Sequence, residues 1–455
     1  MRIRPLRSAL RGELTIPGDK SVTHRAIMFA SIARGDSLII GGGDGADNLS
    51  TAQVMKQLGA DVRIDDEGIH VKGIGLRGLR DPKEVLDCGN SGTTARILVG
   101  ILAGAGINAT LIGDESLSGR PMARVADPLR DLGYTVETTG AKQTMPMTTV
   151  ATASKRADEP VRAVLTVASA QVKSCIMLSG LFREAVTEVV EPAASRDHTE
   201  RLLRAMGRRV ESTKHYMDPV GHADDETLPT TRLHPGGDLR GGRLEVPGDF
   251  SSAAFMIAAG LIAGERVVLK NVNTNPTRIG MLNVLTRMGA KITLTNRRVL
   301  TTGEPVADMV VEKGPLKGTL VSGAEIPLLI DEIPVLAVVG AMAEGVLEIR
   351  DAKELRVKES DRVETTAAIL EGMGVRVEKL EDGLRVHGTG KTGWNGFRVD
   401  AAHDHRIAMA AAVAALGCKD VVEIEGSDCI NISYPTFSAA MRSLGADMDD
   451  PGTAL

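Results

Sequence analysis

Leu-Thr-Ile-Pro-Gly-Asp-Lys-Ser at residues 14–21 returns 230 residues later as Leu-Glu-Val-Pro-Gly-Asp-Phe-Ser at 244–251. A long-range copy of this kind reads as the mark of a chain built from two related halves. A shorter repeat runs inside each half, because six segments of helical pattern finish in Leu-Gly or Met-Gly, at Gly59, Gly133, Gly207, Gly289, Gly374 and Gly445. Apolar residues precede them at helical spacing, for example Val54, Met55 and Leu58, or Leu282, Leu285 and Met288. Glycine in that place fits a left-handed helix cap. Short alternating runs follow at 60–64, 290–294 and 375–378 and read as strands. Glycines between helix and strand are common in any α/β protein, but six at intervals of 74, 74, 82, 85 and 71 residues argue for duplication. Each interval exceeds the roughly 20–50 residues of solenoid repeats. Two compact α/β domains of three units each are therefore expected, with crossovers near 17–21 and 243–249 and a cleft where ligands bind.

Composition limits the function classes. The 455 residues are 43% hydrophobic and 25% charged, ample for sizeable cores and against general disorder. Aromatic residues make up only 2%, while there are 50 glycines, so packing must be aliphatic and base-stacking platforms are scarce. A net charge of −5 gives no general attraction to nucleic acid or to an anionic membrane. Cys88, Cys175, Cys418 and Cys429 lie far apart, with neither CxxC nor zinc spacing, which suits reduced thiols in the cytoplasm and no metal. The sequence has no run of 18 apolar residues and no signal-like apolar stretch near residue 1.

Five clusters carry candidate chemistry. Pro-Gly-Asp-Lys-Ser-Val-Thr-His-Arg at 17–25 is a glycine turn running into a helix, which offers backbone N–H groups and two cations, Lys20 and Arg25, to an anion. The second copy keeps Pro-Gly-Asp but puts Phe250 where Lys20 stands, so the turn does not need the cation and a functional role is favoured over a solvated one. Cys-Gly-Asn-Ser-Gly-Thr-Thr-Ala-Arg at 88–96 has the small residues that let backbone approach an oxyanion. It is neither a P-loop nor GxGxxG, which removes support for ATP and NAD. Asp331 and Glu332 are adjacent acids in an apolar stretch, either functional or, for Asp331, a helix N-cap before Pro334. Lys358 and Arg362 are four residues apart and share a helical face, functional or merely solvated. His405, in Asp-His-Arg at 404–406, reads equally as a cap or a core contact.

Together with Gly-Arg-Pro-Met at 119–122, Ser-Ala-Gln-Val-Lys-Ser at 169–174, Arg-Asp-His-Thr-Glu at 196–200 and Asn-Pro-Thr-Arg at 275–278, these clusters resemble the 5-enolpyruvylshikimate-3-phosphate synthase family, in order and over nearly the whole chain. The last two motifs are similar to its class II branch. The resemblance implies a two-domain enolpyruvyl transferase fold of six βαβαββ units, three per domain, with the first strand in the C-terminal domain and an active site in the interdomain cleft. The domains would be 1–20 plus 246–455, and 21–245. It further implies that Lys20, Ser21, Arg25, Ser169, Ala170, Gln171, Arg196 and Lys358 hold shikimate 3-phosphate. Phosphoenolpyruvate would be held by Lys20, Asn90, Gly92, Arg120, Gln171, Arg362 and Arg406. Asp331, which would also contact shikimate 3-phosphate, would take the 5-hydroxyl proton, Glu359 would manage the proton at the methylene carbon, and Lys20, touching both substrates, would be catalytic as well. A monomer without cofactor is expected.

Each substrate carries a phosphate and a carboxylate, together roughly −5 to −6. Seven cations, Lys20, Arg25, Arg120, Arg196, Lys358, Arg362 and Arg406, are the right order to neutralise that, so no metal is called for and anion binding should draw the domains together. Two alternatives are weaker. The sister enzyme acting on UDP-N-acetylglucosamine usually carries a reactive Cys before its Arg-Pro pair, and the stretch 114–121 has none. A noncatalytic anion-binding protein should have lost the matched cations. One departure is Ile432, where many family members have Lys; Gly92 is the residue type usual in glyphosate-sensitive members, so inhibition by glyphosate is expected.

Overall fold

The computed structural model describes residues 1–140, 142–151, 158–213 and 228–453, and the chain folds as two compact units. The N-terminal unit comprises Gly18–Pro247 and Val299–Glu304; the C-terminal unit comprises Met1–Pro17, Gly248–Arg298 and Pro305–Leu455. All six Leu-Gly and Met-Gly glycines have positive φ, from +78° at Gly374 to +110° at Gly445. That conformation is one other residues resist, and it turns each helix sharply into a strand. The strands that follow are Asp61–Asp65, Thr135–Thr139, Val210–Ser212, Lys291–Val299, Val377–Leu380 and Asp447–Met448.

Each repeat closes into a small four-stranded mixed sheet, three per unit. In one of them Leu86–Asp87 and Ala109–Ile112 run parallel, with Leu86 opposite Leu111, and the hairpin Thr135–Thr139 and Thr144–Val150 adds two antiparallel strands. A parallel pair needs a crossover, which the helix Gly92–Ala105 provides. The order strand, helix, strand, helix, hairpin is the expected βαβαββ unit. Three strands cross between the halves of the sequence. Leu10–Thr15 pairs in parallel with Gly264–Asn273 in the C-terminal unit, and Arg243–Glu245 pairs in parallel with Arg34–Ile40 in the N-terminal unit. Arg2–Arg4 completes the last C-terminal sheet between Val422–Glu425 and Asp447–Met448.

One helix of each repeat is buried along nearly its whole length: Lys20–Ser31, Gly92–Ala105 and Ala170–Ser179 in the N-terminal unit, Phe250–Ala263, Ile333–Met342 and His405–Ala415 in the C-terminal unit. Beyond Ser251 and Ser252 in its first turn, Phe250–Ala263 is apolar on every face, as a helix enclosed by a core must be. Each large aliphatic side chain buried there contributes roughly 1.5–3 kcal/mol. Small residues let the helices approach: a Cβ on Gly100 would lie 2.1 Å from the Cys175 carbonyl oxygen. Because the inner helices are fixed so tightly, their N-terminal ends are rigid platforms. Among the described residues no helix is long and apolar enough to cross a membrane.

Candidate active site

Most residues singled out from the sequence stand at the start of an inner helix, where unpaired N–H groups and the helix dipole favour an anion. In the N-terminal unit Asp19 caps the helix Lys20–Ser31, its carboxylate accepting from the Val22 amide at 3.0 Å. Lys20 projects from that end and reaches Asp47 Oδ2 at 3.0 Å. One turn on, Arg25 is buried and donates to Thr199 Oγ1 at 2.7 Å, to Ser174 Oγ at 3.0 Å and to the Ser21 carbonyl at 2.9 Å. Burial lowers its guanidinium pKa to about 10, with Glu200 and Asp19 opposing the shift and Arg196 adding to it, so it remains a cation at neutral pH. Arg25 thereby ties the Lys20 turn to the helix beginning at Ala170 and to the segment after Arg196.

The other two N-terminal helix starts are linked to each other. Ser91 caps Gly92–Ala105, and Ser169 caps Ala170–Ser179. Gln171 accepts from Arg96 Nη1 at 3.1 Å and donates to Thr93 Oγ1 at 3.2 Å. Asn90 donates to Asp114 at 2.7 Å and accepts from Arg120 Nη2 at 3.2 Å, which places that guanidinium beside the Gly92 turn. A Cβ on Gly92 would sit 3.1 Å from Arg96 Nη1. Behind these ends runs a buried polar chain, His24 Nδ1 to Thr51 Oγ1 at 2.6 Å, Thr51 to Thr94 at 2.7 Å and Thr94 to Ser91 at 2.7 Å. Burial keeps His24 neutral, its pKa pushed down to about 3.

In the C-terminal unit three cations converge on Asp331. Its Oδ1 lies 3.5 Å from Lys358 Nζ and 3.4 Å from Arg362 Nη1, and Arg406 Nη1 donates to its carbonyl at 3.1 Å. Arg362 also pairs with Glu359 at 2.7 Å and with Asp404 at 2.8 Å, and its side chain is only 1% exposed. Burial works against that charge, yet Asp404 and Glu359 outweigh it and raise the pKa above the ordinary arginine value. Burial also opposes the Asp404 charge, but Arg362 outweighs it and draws that carboxyl below its ordinary range. Two alternatives weighed from the sequence are thus resolved. Asp331 is not the cap of Ile333–Met342, whose N-cap is Glu332 without a side-chain bond. The cap at 404–406 is Asp404, accepting from the Arg406 amide at 3.0 Å, and His405 is buried behind it.

The predicted residues fall into two groups: Lys20, Ser21, Arg25, Asn90, Gly92, Arg120, Ser169, Ala170, Gln171 and Arg196 in one unit, Asp331, Lys358, Glu359, Arg362 and Arg406 in the other. Sequence reading gave no role to Asp47, Arg96, Thr199 or Asp404, and named Glu332 only as the acid beside Asp331. Asp47 had a signal in the glycine-rich run 41–48, but its partner lies 27 residues away. Ile432 is partly buried against the core.

The fold is shared with the enolpyruvyl transferase NikO from Streptomyces tendae, at a TM-score of 0.76 and 18% identity over 98% of this chain and 97% of that one. An EPSP synthase from Acinetobacter baumannii superposes at a TM-score of 0.84 with 39% identity, covering 98% of this chain and 99% of that one. A 3-phosphoshikimate 1-carboxyvinyltransferase of Geobacillus kaustophilus is 44% identical over 96% of this chain and 98% of its own length; one from Oceanobacillus iheyensis is 40% identical over 98% and 99%. The sequence pattern of EPSP synthase (3-phosphoshikimate 1-carboxyvinyltransferase) matches residues 6–441. This chain belongs to the EPSP synthase family.

Proposed function

We infer that this chain transfers the enolpyruvyl group of phosphoenolpyruvate to the 5-hydroxyl of shikimate 3-phosphate, releasing phosphate. The observation that carries the reading is a carboxylate, Asp331, held among Lys358, Arg362 and Arg406 in a chain of this family. Lys20, Ser21, Arg25, Ser169, Ala170, Gln171, Arg196 and Lys358 hold shikimate 3-phosphate. Lys20, Asn90, Gly92, Arg120, Gln171, Arg362 and Arg406 hold phosphoenolpyruvate, and the helix starts add backbone donors to both sets of oxygens.

Chemistry then proceeds by addition and elimination. Asp331 accepts the 5-hydroxyl proton as that oxygen bonds to C2 of phosphoenolpyruvate, while C3 gains a proton through Glu359. The tetrahedral adduct next loses a proton from C3, the C2–O bond to phosphate breaks, and the vinyl ether and phosphate are released. A neutral hydroxyl is a weak nucleophile, so a positioned base contributes about 10²–10⁴-fold. Arg362 is saturated by carboxylates as it stands, so its pairing with phosphoenolpyruvate requires it to loosen its hold on Asp331 or Glu359. The enzyme works as a cytoplasmic monomer and is inhibited by glyphosate through the Gly92 turn.

Phosphate release from the purified protein with both substrates tests the activity, and a dose–response curve with glyphosate tests the inhibition. Asp331→Asn should lower kcat by about 10²–10⁴ while leaving both KM values within a few-fold. Normal turnover in that variant would remove Asp331 from the role of base.

A further inference from the structure

Glu332, the neighbour of the base, points the opposite way, into the core. Its side chain has 0% exposure, and its Oε1 accepts from Ser251 Oγ at 2.5 Å. The same oxygen lies 3.8 Å from Arg278 Nη1 and 3.8 Å from Arg406 Nη1. Arg278 is itself buried, with 2% of its side chain exposed, and donates to Asp249 Oδ1 at 3.1 Å and Ser251 Oγ at 2.9 Å. Arg406 continues the line, because the Nη1 that faces Glu332 also donates to the Asp331 carbonyl at 3.1 Å. One carboxylate oxygen thus joins the start of the helix Phe250–Ala263, the end of the Asn-Pro-Thr-Arg motif at 275–278 and a cation placed against the base.

An ion pair this deep is poor value as a stabiliser, since desolvating both charges cancels most of their attraction and an apolar pair would serve at least as well. What such a pair does supply is direction. Asp331 and Glu332 share a peptide, so anchoring the Glu332 side chain behind it limits the rotation that would swing the Asp331 carboxylate out of line.

We propose that Glu332, clamped by Arg278 and Ser251, is a positioning residue that aims Asp331 and seats the Arg406 guanidinium. It touches neither substrate. The inference rests on the reading of Asp331 as base and Arg406 as a phosphoenolpyruvate ligand.

The test is steady-state kinetics with each substrate varied separately, alongside thermal melts, on Glu332→Gln, Arg278→Met, Arg278→Lys and Ser251→Ala. Glu332→Gln and Arg278→Met should lower kcat/KM for phosphoenolpyruvate about 10- to 100-fold, with KM for shikimate 3-phosphate moving less than threefold. Arg278→Lys should recover part of the loss. Folded Glu332→Gln and Arg278→Met proteins with both constants within twofold of the parent overturn the proposal, as does an equal rise in both KM values. Should neither of those two fold, Ser251→Ala decides: a several-fold fall in kcat/KM for phosphoenolpyruvate supports the clamp, and unchanged constants overturn it. Asp331→Asn separates the two layers. If that variant is inactive while Glu332→Gln is normal, only the positioning inference fails; if Asp331→Asn is fully active, the reading of the base fails first.

Discussion

The turns at 17–21 and 247–251 share a frame but not a task. Each puts an aspartate at the helix N-cap, Asp19 accepting from Val22 at 3.0 Å and Asp249 from Ser251 at 2.7 Å. Each also needs its glycine for close approach, since a Cβ would come within 1.9 Å of the Gly41 carbonyl oxygen at Gly18 and within 2.8 Å of the Asn271 carbonyl oxygen at Gly248. Beyond the frame they diverge. The first helix continues with Lys20 directed at Asp47 and with buried Thr23, His24 and Arg25; the second has Phe250, Ala253, Ala254 and Phe255 in the matching places, all buried. The cation at the second turn is instead Arg278, turned inward onto Asp249 and Ser251. Duplication therefore supplied the scaffold twice, and one half carries a cation, Lys20, at the helix start while the other fills that position with the packed ring of Phe250.

This contrast can be broken at several points. The largest effect is expected at Phe250, where replacement by Ala should cost about 3–5 kcal/mol of stability in denaturant unfolding. A loss under about 1 kcal/mol would mean that the second turn is not committed to the core. Lys20→Met should do the reverse, leaving the melting temperature in place while kcat/KM drops about 10- to 150-fold, the equivalent of a charged hydrogen bond of about 1.5–3 kcal/mol. A Lys20→Met enzyme with parental kinetics would erase the functional side of the comparison.

A pH experiment sharpens it further. His24, whose neighbours include Asp47, Lys20 and Arg25, has its folded-state pKa depressed to about 3 from 6.5. Only the unfolded chain takes up that proton between those values, so stability falls as pH drops below about 6.5, by roughly 2 kcal/mol at pH 5. Unfolding of His24→Gln should show a shallower decline over that window, and an identical decline would place the acid sensitivity elsewhere. The smallest effect is expected at Gly92, where an alanine methyl presses on Arg96 and should raise KM for phosphoenolpyruvate several-fold with little change in kcat. Equal affinity in both proteins would show that the guanidinium yields freely.

Local rules made much of the fold readable. The six glycines, the strands after them and the paired Pro-Gly-Asp turns depend on short-range backbone geometry, and all six glycines carry the expected positive φ. Partnerships that span the chain were not readable. Arg362 could be taken for a solvated helix start because Asp404 lies 42 residues on, and the inward Arg278 was invisible because Glu332 is 54 positions away. Nor could periodicity tell that Arg243–Glu245 would pair with Arg34–Ile40, since register over such a distance is set by the finished sheet. The grouping of Lys358, Arg362 and Arg406 around Asp331 was anticipated only through family resemblance; the spacing of Lys358 and Arg362 alone left both a binding and a solvated role open.

The strand Arg2–Arg4 is bonded to residues made much later in translation, with Arg2 and Glu423 separated by 421 positions. At about 5–20 residues per second, the ribosome takes on the order of 20–80 s to deliver that partner. During the wait the short strand has no sheet to join, whereas every sheet of the N-terminal unit already has all its strands once Arg243–Glu245 has emerged. The strands of the N-terminal sheets are thus all made long before the last C-terminal sheet can close.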